Sequence, residues 1–260
     1  MMNKVLLYDC DGVLADTEQF GHLPAFNQMW REFGAPWSWS VEEYGRKLAI
    51  GGGRERMRSL FDEPEFLAAF KPPETEQERD ALILAWHKRK TEIYTETINS
   101  GRIPPRSGVK RLAEEALDAG WILGVCSTSA VEAVEAVLRR TMGEETAGRF
   151  SLLIAGAMVK AKKPAPDIYL MAAKQLQVAP EECLVIEDSE NGLQSANAAG
   201  MKCLVTVSGY TRDEDFTQAA LVVTSLGDPD GERMEVLANR STATPEGYIT
   251  VEDLDRILVG

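Results

Sequence analysis

The chain has 260 residues, 44% hydrophobic and 27% charged, which is enough for a packed core and leaves little reason to expect disorder. A formal net charge of -13 without any block of Lys or Arg argues against a nucleic-acid partner. No apolar run approaches the ~18 residues of a membrane span, so no membrane association is expected. The first residues, Met-Met-Asn-Lys, lead straight into an apolar run rather than into a signal or transit segment.

Cys10, Cys126, Cys183 and Cys203 form no Cys-x-x-Cys pair and lie in or beside apolar runs. They read as small buried residues in a reducing compartment rather than as a disulfide framework or a zinc site.

In chain order, near-continuous apolar runs fall at residues 5–9, 122–126, 152–155, 184–187, 204–207 and 221–224. Such runs mark strands buried on both faces. Helical periodicity at 108–119, 130–140, 166–176 and 192–199 separates them. Strand and helix in alternation predict an α/β fold with a doubly wound parallel sheet.

The stretch between the first two strands breaks this rhythm. Helical patterns at 19–33, 41–49, 55–61 and 78–97 fill far more chain than one crossover needs. They predict an inserted helical domain at about 18–100, with residues 1–17 and 101–226 forming the core. The return, residues 101–108, is rich in Pro and Gly and suits a hinge. Residues 227–260 read as a polar C-terminal extension with an Asp-Pro-Asp-Gly turn and a short amphipathic piece at 251–258.

The chemistry sits after the strands. The first ends in Asp9-Cys10-Asp11-Gly12, where two close carboxylates repel each other unless a cation joins them. The second ends in Ser127-Thr128-Ser129, hydroxyls ahead of a helix N-terminus that can hold an anion or simply cap the helix. Lys163-Pro164-Ala165-Pro166-Asp167 follows the third strand, and Glu187-Asp188-Ser189 ends the fourth. An open parallel sheet brings ligands to the carboxyl ends of its strands. Acids, a hydroxyl and one cation gathered there suit metal-assisted phosphoryl transfer.

These four segments, Asp-Cys-Asp-Gly-Val-Leu, the Ser-Thr-Ser after its apolar run, Lys-Lys-Pro-Ala-Pro-Asp-Ile-Tyr and Ile-Glu-Asp-Ser-Glu-Asn-Gly, resemble the four motifs of the haloacid dehalogenase superfamily over about residues 4–225. The insertion point is similar to that of the family's helical cap domain. Within the superfamily the chain is similar to the β-phosphoglucomutase and CbbY-like sugar-phosphatase branch. That likeness rests on Gly51-Gly52-Gly53-Arg54-Glu55-Arg56-Met57, on His87-Lys88-Arg89-Lys90-Thr91-Glu92, on Ser208-Gly209-Tyr210-Thr211, and on Trp39 with Tyr44.

The resemblance implies an Mg²⁺-dependent phosphatase acting on a phosphorylated sugar such as xylulose 1,5-bisphosphate. Asp9 is then the nucleophile and Asp11 the general acid and base. Ser127, Thr128 and Lys163 hold the transferring phosphoryl, and Asp9, Asp11 (through its carbonyl), Asp188 and Glu187 hold the metal. In the cap, Arg54, Arg56 and Lys90 are candidates for a second phosphate, and Gly52 and Gly53 allow close backbone approach. Glu18, His22 and Tyr44 are candidates for sugar hydroxyls, whereas Trp30, Trp37, Trp39 and Trp86 read as cap core. The expected protein is monomeric and cytoplasmic, or stromal if its source has plastids. Two other readings stand beside this one: a sugar phosphomutase using the same core residues, and a non-catalytic phosphosugar-binding protein.

Overall fold

The computed structural model of the protein describes residues 3–260. The chain forms two compact units, one made of the segment up to Asp16 with Pro104–Gly260, the other of Thr17–Ile103.

Strand β1 (Val5–Tyr8) is buried at every position, as its unbroken apolar sequence requires. The second unit begins with a π-helical turn, Glu18–His22. Helices α1 (Leu23–Glu32), α2 (Val41–Lys47), α3 (Gly53–Ser59), α4 (Pro64–Ala69) and α5 (Glu76–Asn99) follow. Reciprocal capping boxes, Ser40 with Glu43 and Thr75 with Glu78, start α2 and α5. Helix α4 falls between the helical patterns at 55–61 and 78–97, where the sequence predicts no helix.

This unit is held together by aromatic rings. Trp30 meets Trp39 edge-on with centroids 4.6 Å apart, and Phe66 meets Trp86 edge-on at 6.4 Å. Trp30, Trp39 and Trp86 are buried and Trp37 half-buried against Phe66, so the tryptophans do form core here. Asn27 fixes Trp39 by pairing with both its backbone N–H and its carbonyl, each at 2.9 Å.

The first unit resumes with α6 (Val109–Asp118), β2 (Ile122–Cys126), α7 (Val131–Met142), α8 (Glu144–Ala147) and β3 (Leu152–Ile154). It continues through α9 (Asp167–Leu176), β4 (Cys183–Glu187), α10 (Glu190–Ala198), β5 (Lys202–Thr206) and β6 (Leu221–Val223). The last elements are β7 (Val236–Asn239) and α11 (Val251–Val259).

The seven strands lie in the order β3-β2-β1-β4-β5-β6-β7. All neighbours are parallel except β6 and β7. From β1 the chain builds outward to β2 and β3 on one side, and from β4 outward to β7 on the other. The crevice of this doubly wound sheet therefore lies at the carboxyl ends of β1 and β4. Register makes the place specific: Tyr8 pairs with Val125 and with Ile186, so Asp9, Cys126 and Glu187 follow at one level.

Residues 227–260, set apart as an extension in the sequence, lie within this unit. Strand β7 adds to β6 with Ala238 opposite Val222, and α11 packs on β4 and α6. As an edge strand with Val236 and Leu237 exposed, β7 carries no buried apolar run to announce it. Among the described residues no helix is long and apolar enough to cross a membrane.

Candidate active site

The turn after β1 is tight. Gly12 N–H donates to the Ala15 carbonyl and Leu14 N–H to the Cys10 carbonyl, both at 2.9 Å. Gly12 has φ +81, and a Cβ there would stand 2.0 Å from Asp188 Oδ2. Glycine is thus required both by the backbone and by the carboxyl that leans on it. Gly192, in the first turn of α10, plays the same steric part for Glu187, whose Cδ lies 2.0 Å from where a Cβ would be.

Lys163 Nζ is buried among three acceptors: Asp9 Oδ1 at 2.6 Å, Glu187 Oε1 at 2.5 Å and the Cys126 carbonyl at 3.0 Å. These use all three ammonium hydrogens. Asp9, Glu187 and Asp188 are buried, and each offers a carboxylate oxygen within 4.8 Å of the others'. Asp11 stands apart from this cluster, half-buried, and accepts a bond from Ser129 Oγ at 2.6 Å. Ser127 is buried, its Oγ accepting from Ser129 N–H at 3.1 Å, and Thr128 beside it is half-buried.

The cluster is under electrostatic load. Burial pushes the Asp9 carboxyl up to about 8; Lys163 opposes this, while Glu187 and Asp11 add to it. Burial also lifts Asp188 well above the usual carboxylate range, with Asp9 and Glu187 reinforcing the shift and Arg106 opposing it. Burial alone would lower the Lys163 ammonium, but the adjoining Asp9 and Glu187 outweigh it and raise it. Three acid groups beside one ammonium cannot all ionise in this buried place without further positive charge, and an all-oxygen donor set of this kind fits a hard divalent cation.

Two residues that the sequence does not single out complete the core site. Tyr169, on α9, donates its hydroxyl to Glu187 Oε1 at 2.5 Å. Arg106 donates to four backbone carbonyls: Gly12 beyond β1, Thr206 at 3.1 Å, Val207 at 2.6 Å and Thr224 at 2.8 Å. It laces together the ends of three strands. Tyr169 lies inside a quoted motif, but linear spacing gives no direction to its hydroxyl. An arginine in a Pro/Gly-rich return gives no signal at all.

In the helical unit, Tyr44 donates its hydroxyl to Glu18, and Arg56 donates to the Tyr44 oxygen at 2.9 Å and to the Ile50 carbonyl at 2.9 Å. Arg56 also lies 3.6 Å from Glu18. Lys90 Nζ is buried 2.6 Å from His22 Nδ1, above the faces of Phe26 and Tyr94. His22 itself stacks on Tyr94 at 3.9 Å. Gly52, buried with φ +99, precedes α3, and Gly53 starts it beside His87 and Phe26. Arg54 is exposed on the first turn. The three cations of this unit, equivalent in the sequence, therefore differ. Arg54 and Arg56 are two apart on one helix and cannot share a face; Arg54 meets solvent, whereas Arg56 and Lys90 are engaged within the helical unit.

A doubly wound sheet with an Asp-x-Asp turn, a buried Lys and a second acid pair at its carboxyl edge defines a haloacid dehalogenase-like hydrolase. The sequence model of that family matches residues 3–200, and the chain belongs to it. A CBBY-like protein of Arabidopsis thaliana is 45% identical over 236 residues, covering 90% of this chain and 72% of the relative. An Asp-to-Asn variant of CbbY from Rhodobacter sphaeroides, solved in complex with xylulose-(1,5)bisphosphate, is 37% identical with a TM-score of 0.76, over 86% of this chain and 95% of that one. A β-phosphoglucomutase from Clostridium difficile is 26% identical with a TM-score of 0.66, over 86% and 92%. Within the family the chain's place is among the CbbY-like phosphatases.

Proposed function

We propose that the protein is an Mg²⁺-dependent phosphatase that removes one phosphate from a sugar bisphosphate, xylulose 1,5-bisphosphate being the first candidate, through an aspartyl-phosphate on Asp9. The observation that carries this reading is the Lys163–Asp9 pair at 2.6 Å set inside the acidic cluster of Asp9, Glu187 and Asp188.

Asp9, Asp188 and the Asp11 carbonyl, with Glu187 beside them, would hold the metal, which when bound supplies positive charge to the phosphoryl oxygens. Asp9 forms a bond to phosphorus in line with the scissile P–O bond, which breaks as the sugar oxygen leaves. Asp11 gives that oxygen its proton and then takes one from the water that hydrolyses the aspartyl-phosphate. Ser127 and Thr128 hold the phosphoryl oxygens while Lys163 neutralises Asp9 and the group transferred to it. In the cap, Arg54 is assigned to the second phosphate because it is the exposed cation of the three. Glu18, Tyr44 and His22 are assigned to sugar hydroxyls, with Arg56 and Lys90 holding them in place.

The test is phosphate release from xylulose 1,5-bisphosphate, from p-nitrophenyl phosphate, and from β-glucose 1-phosphate with a bisphosphate activator, each with Mg²⁺. The expected result is a kcat/KM at least about tenfold higher for the sugar bisphosphate, the scale of one charge-assisted contact. Formation of glucose 6-phosphate in place of free phosphate would establish a mutase instead. No turnover of any ester would leave only a phosphosugar-binding role.

A further inference from the structure

We propose that Tyr169 is a positioning residue for phosphoryl transfer, its hydroxyl fixing Glu187 so that Lys163 stays shared with Asp9. The inference rests on the assignment of Asp9 and Lys163 to the reaction given above.

Two buried carboxylates, Asp9 and Glu187, compete for one ammonium. Lys163 Nζ stands 2.6 Å from Asp9 Oδ1 and 2.5 Å from Glu187 Oε1. Glu187 is almost wholly buried, so solvent does not screen it. The Tyr169 hydroxyl donates at 2.5 Å to the same oxygen, Oε1, that receives Lys163. The other oxygen, Oε2, accepts from the Asp188 N–H at 3.2 Å. A neutral donor on Oε1 draws off part of its charge and weakens its hold on the lysine.

The phenol ring also bounds the lysine's position, for Lys163 Nζ lies 5.0 Å from its centroid. Glycine at 192 lets α10 close against the Glu187 carboxyl from another side. Without the hydroxyl, Oε1 keeps Lys163 as its one donor, and the ammonium is drawn toward Glu187. Asp9 and the phosphoryl group then lose neutralising charge. Packing does not demand this hydroxyl, since phenylalanine would fill the same apolar volume.

The experiment compares wild type with Tyr169→Phe on p-nitrophenyl phosphate and Mg²⁺, with folding checked by circular dichroism. The expected result is a kcat lower by about ten- to hundredfold, the scale of a hydrogen bond to a charged group. KM should change by less than about threefold, since the hydroxyl donates to Glu187 and not to a group assigned to hold the substrate. The rate of acid-stable phosphoenzyme formation in rapid quench should fall by the same factor as kcat. Kinetics equal to wild type would overturn the inference.

A second comparison keeps it testable if Tyr169→Phe is less stable. In a Glu187→Gln background the competing charge is gone, so adding Tyr169→Phe should cost less than about threefold. An equal loss in both backgrounds would mean that the residue acts by packing, and the inference would fall. Absence of wild-type turnover would sink the phosphatase mechanism itself, whereas wild-type turnover with an unaffected Tyr169→Phe sinks this inference alone.

Discussion

Replacing Gly12 by alanine should remove metal binding and activity together, and two other glycines make the effect dissectable. The new Cβ would lie 2.0 Å from Asp188 Oδ2 and 2.5 Å from its Cγ. A comfortable contact needs about 3.5 Å, so the carboxyl must retreat by about 1.5 Å. That displacement takes Asp188 out of the group whose oxygens lie within 4.8 Å of one another. The backbone adds a separate cost, because alanine at φ +81 loses about 1–2 kcal/mol.

Gly120 isolates the second effect, having φ +85 and nothing within 4 Å of its absent Cβ. Gly192 isolates the first, since it is helical and its Cβ would meet Glu187 Cδ at 2.0 Å. Gly120→Ala should lower Tm by about 2–8 °C and leave kcat alone. Gly12→Ala should lose at least as much Tm, lose the rise in Tm that Mg²⁺ produces, and fall more than about a hundredfold in kcat. Gly192→Ala should gain helix propensity yet lose activity. Thermal melts with EDTA or Mg²⁺ and phosphate-release kinetics read all three. A Gly12→Ala protein with wild-type metal response and a kcat within about tenfold of wild type would refute the steric argument.

Asp9→Asn should fold normally and turn over p-nitrophenyl phosphate at less than about a hundredth of the wild-type rate, because an amide cannot take the phosphoryl group. The metal-free protein should lose stability as pH rises from 6 to 8. Asp9, lifted to about 8, and Asp188, lifted well above its ordinary range, hold protons in the folded state that the unfolded chain has released. The gain in Tm from Mg²⁺ should therefore grow over that interval, and a gain that stays flat between EDTA and Mg²⁺ melts would count against the charge cluster. Arg54→Ala should reduce kcat/KM for a sugar bisphosphate about ten- to hundredfold while sparing p-nitrophenyl phosphate. Arg56→Ala should harm both substrates and lower Tm, since Arg56 ties Tyr44 and the Ile50 carbonyl; equal effects of the two changes would remove the distinction drawn between them.

Much of this was legible in the sequence because burial on both faces writes a plain signal. Strands β1 and β4 are buried at every residue, and their apolar runs could be read directly. The helical insertion was legible from length, since no crossover needs so much chain. Strand β7 was hidden by its exposed edge, and α4 is short enough for its periodicity to vanish. In the helical insertion, composition named the cations but not their surroundings. Arg54 and Arg56 look alike in a list of residues, and only the helical rotation between them sends one to solvent and the other onto Tyr44.

The acids were legible as a set for a reason the register supplies. Tyr8 aligns with Val125 on one side and Ile186 on the other, so the next residue of each strand, Asp9, Cys126 and Glu187, falls in one row. Lys163 touches all three members of that row, through two side chains and one carbonyl. Its place is thus set by the pairing of the sheet rather than by its own loop. A slip of one residue in β4 would turn Glu187 to the opposite face and put Asp188 in its row. Lys163 would then face a carboxylate one methylene shorter than Glu187, Tyr169 would lose Glu187 as its acceptor, and Asp188 would leave the place against Gly12 that only glycine leaves open. Fold and site are specified by the same pairing.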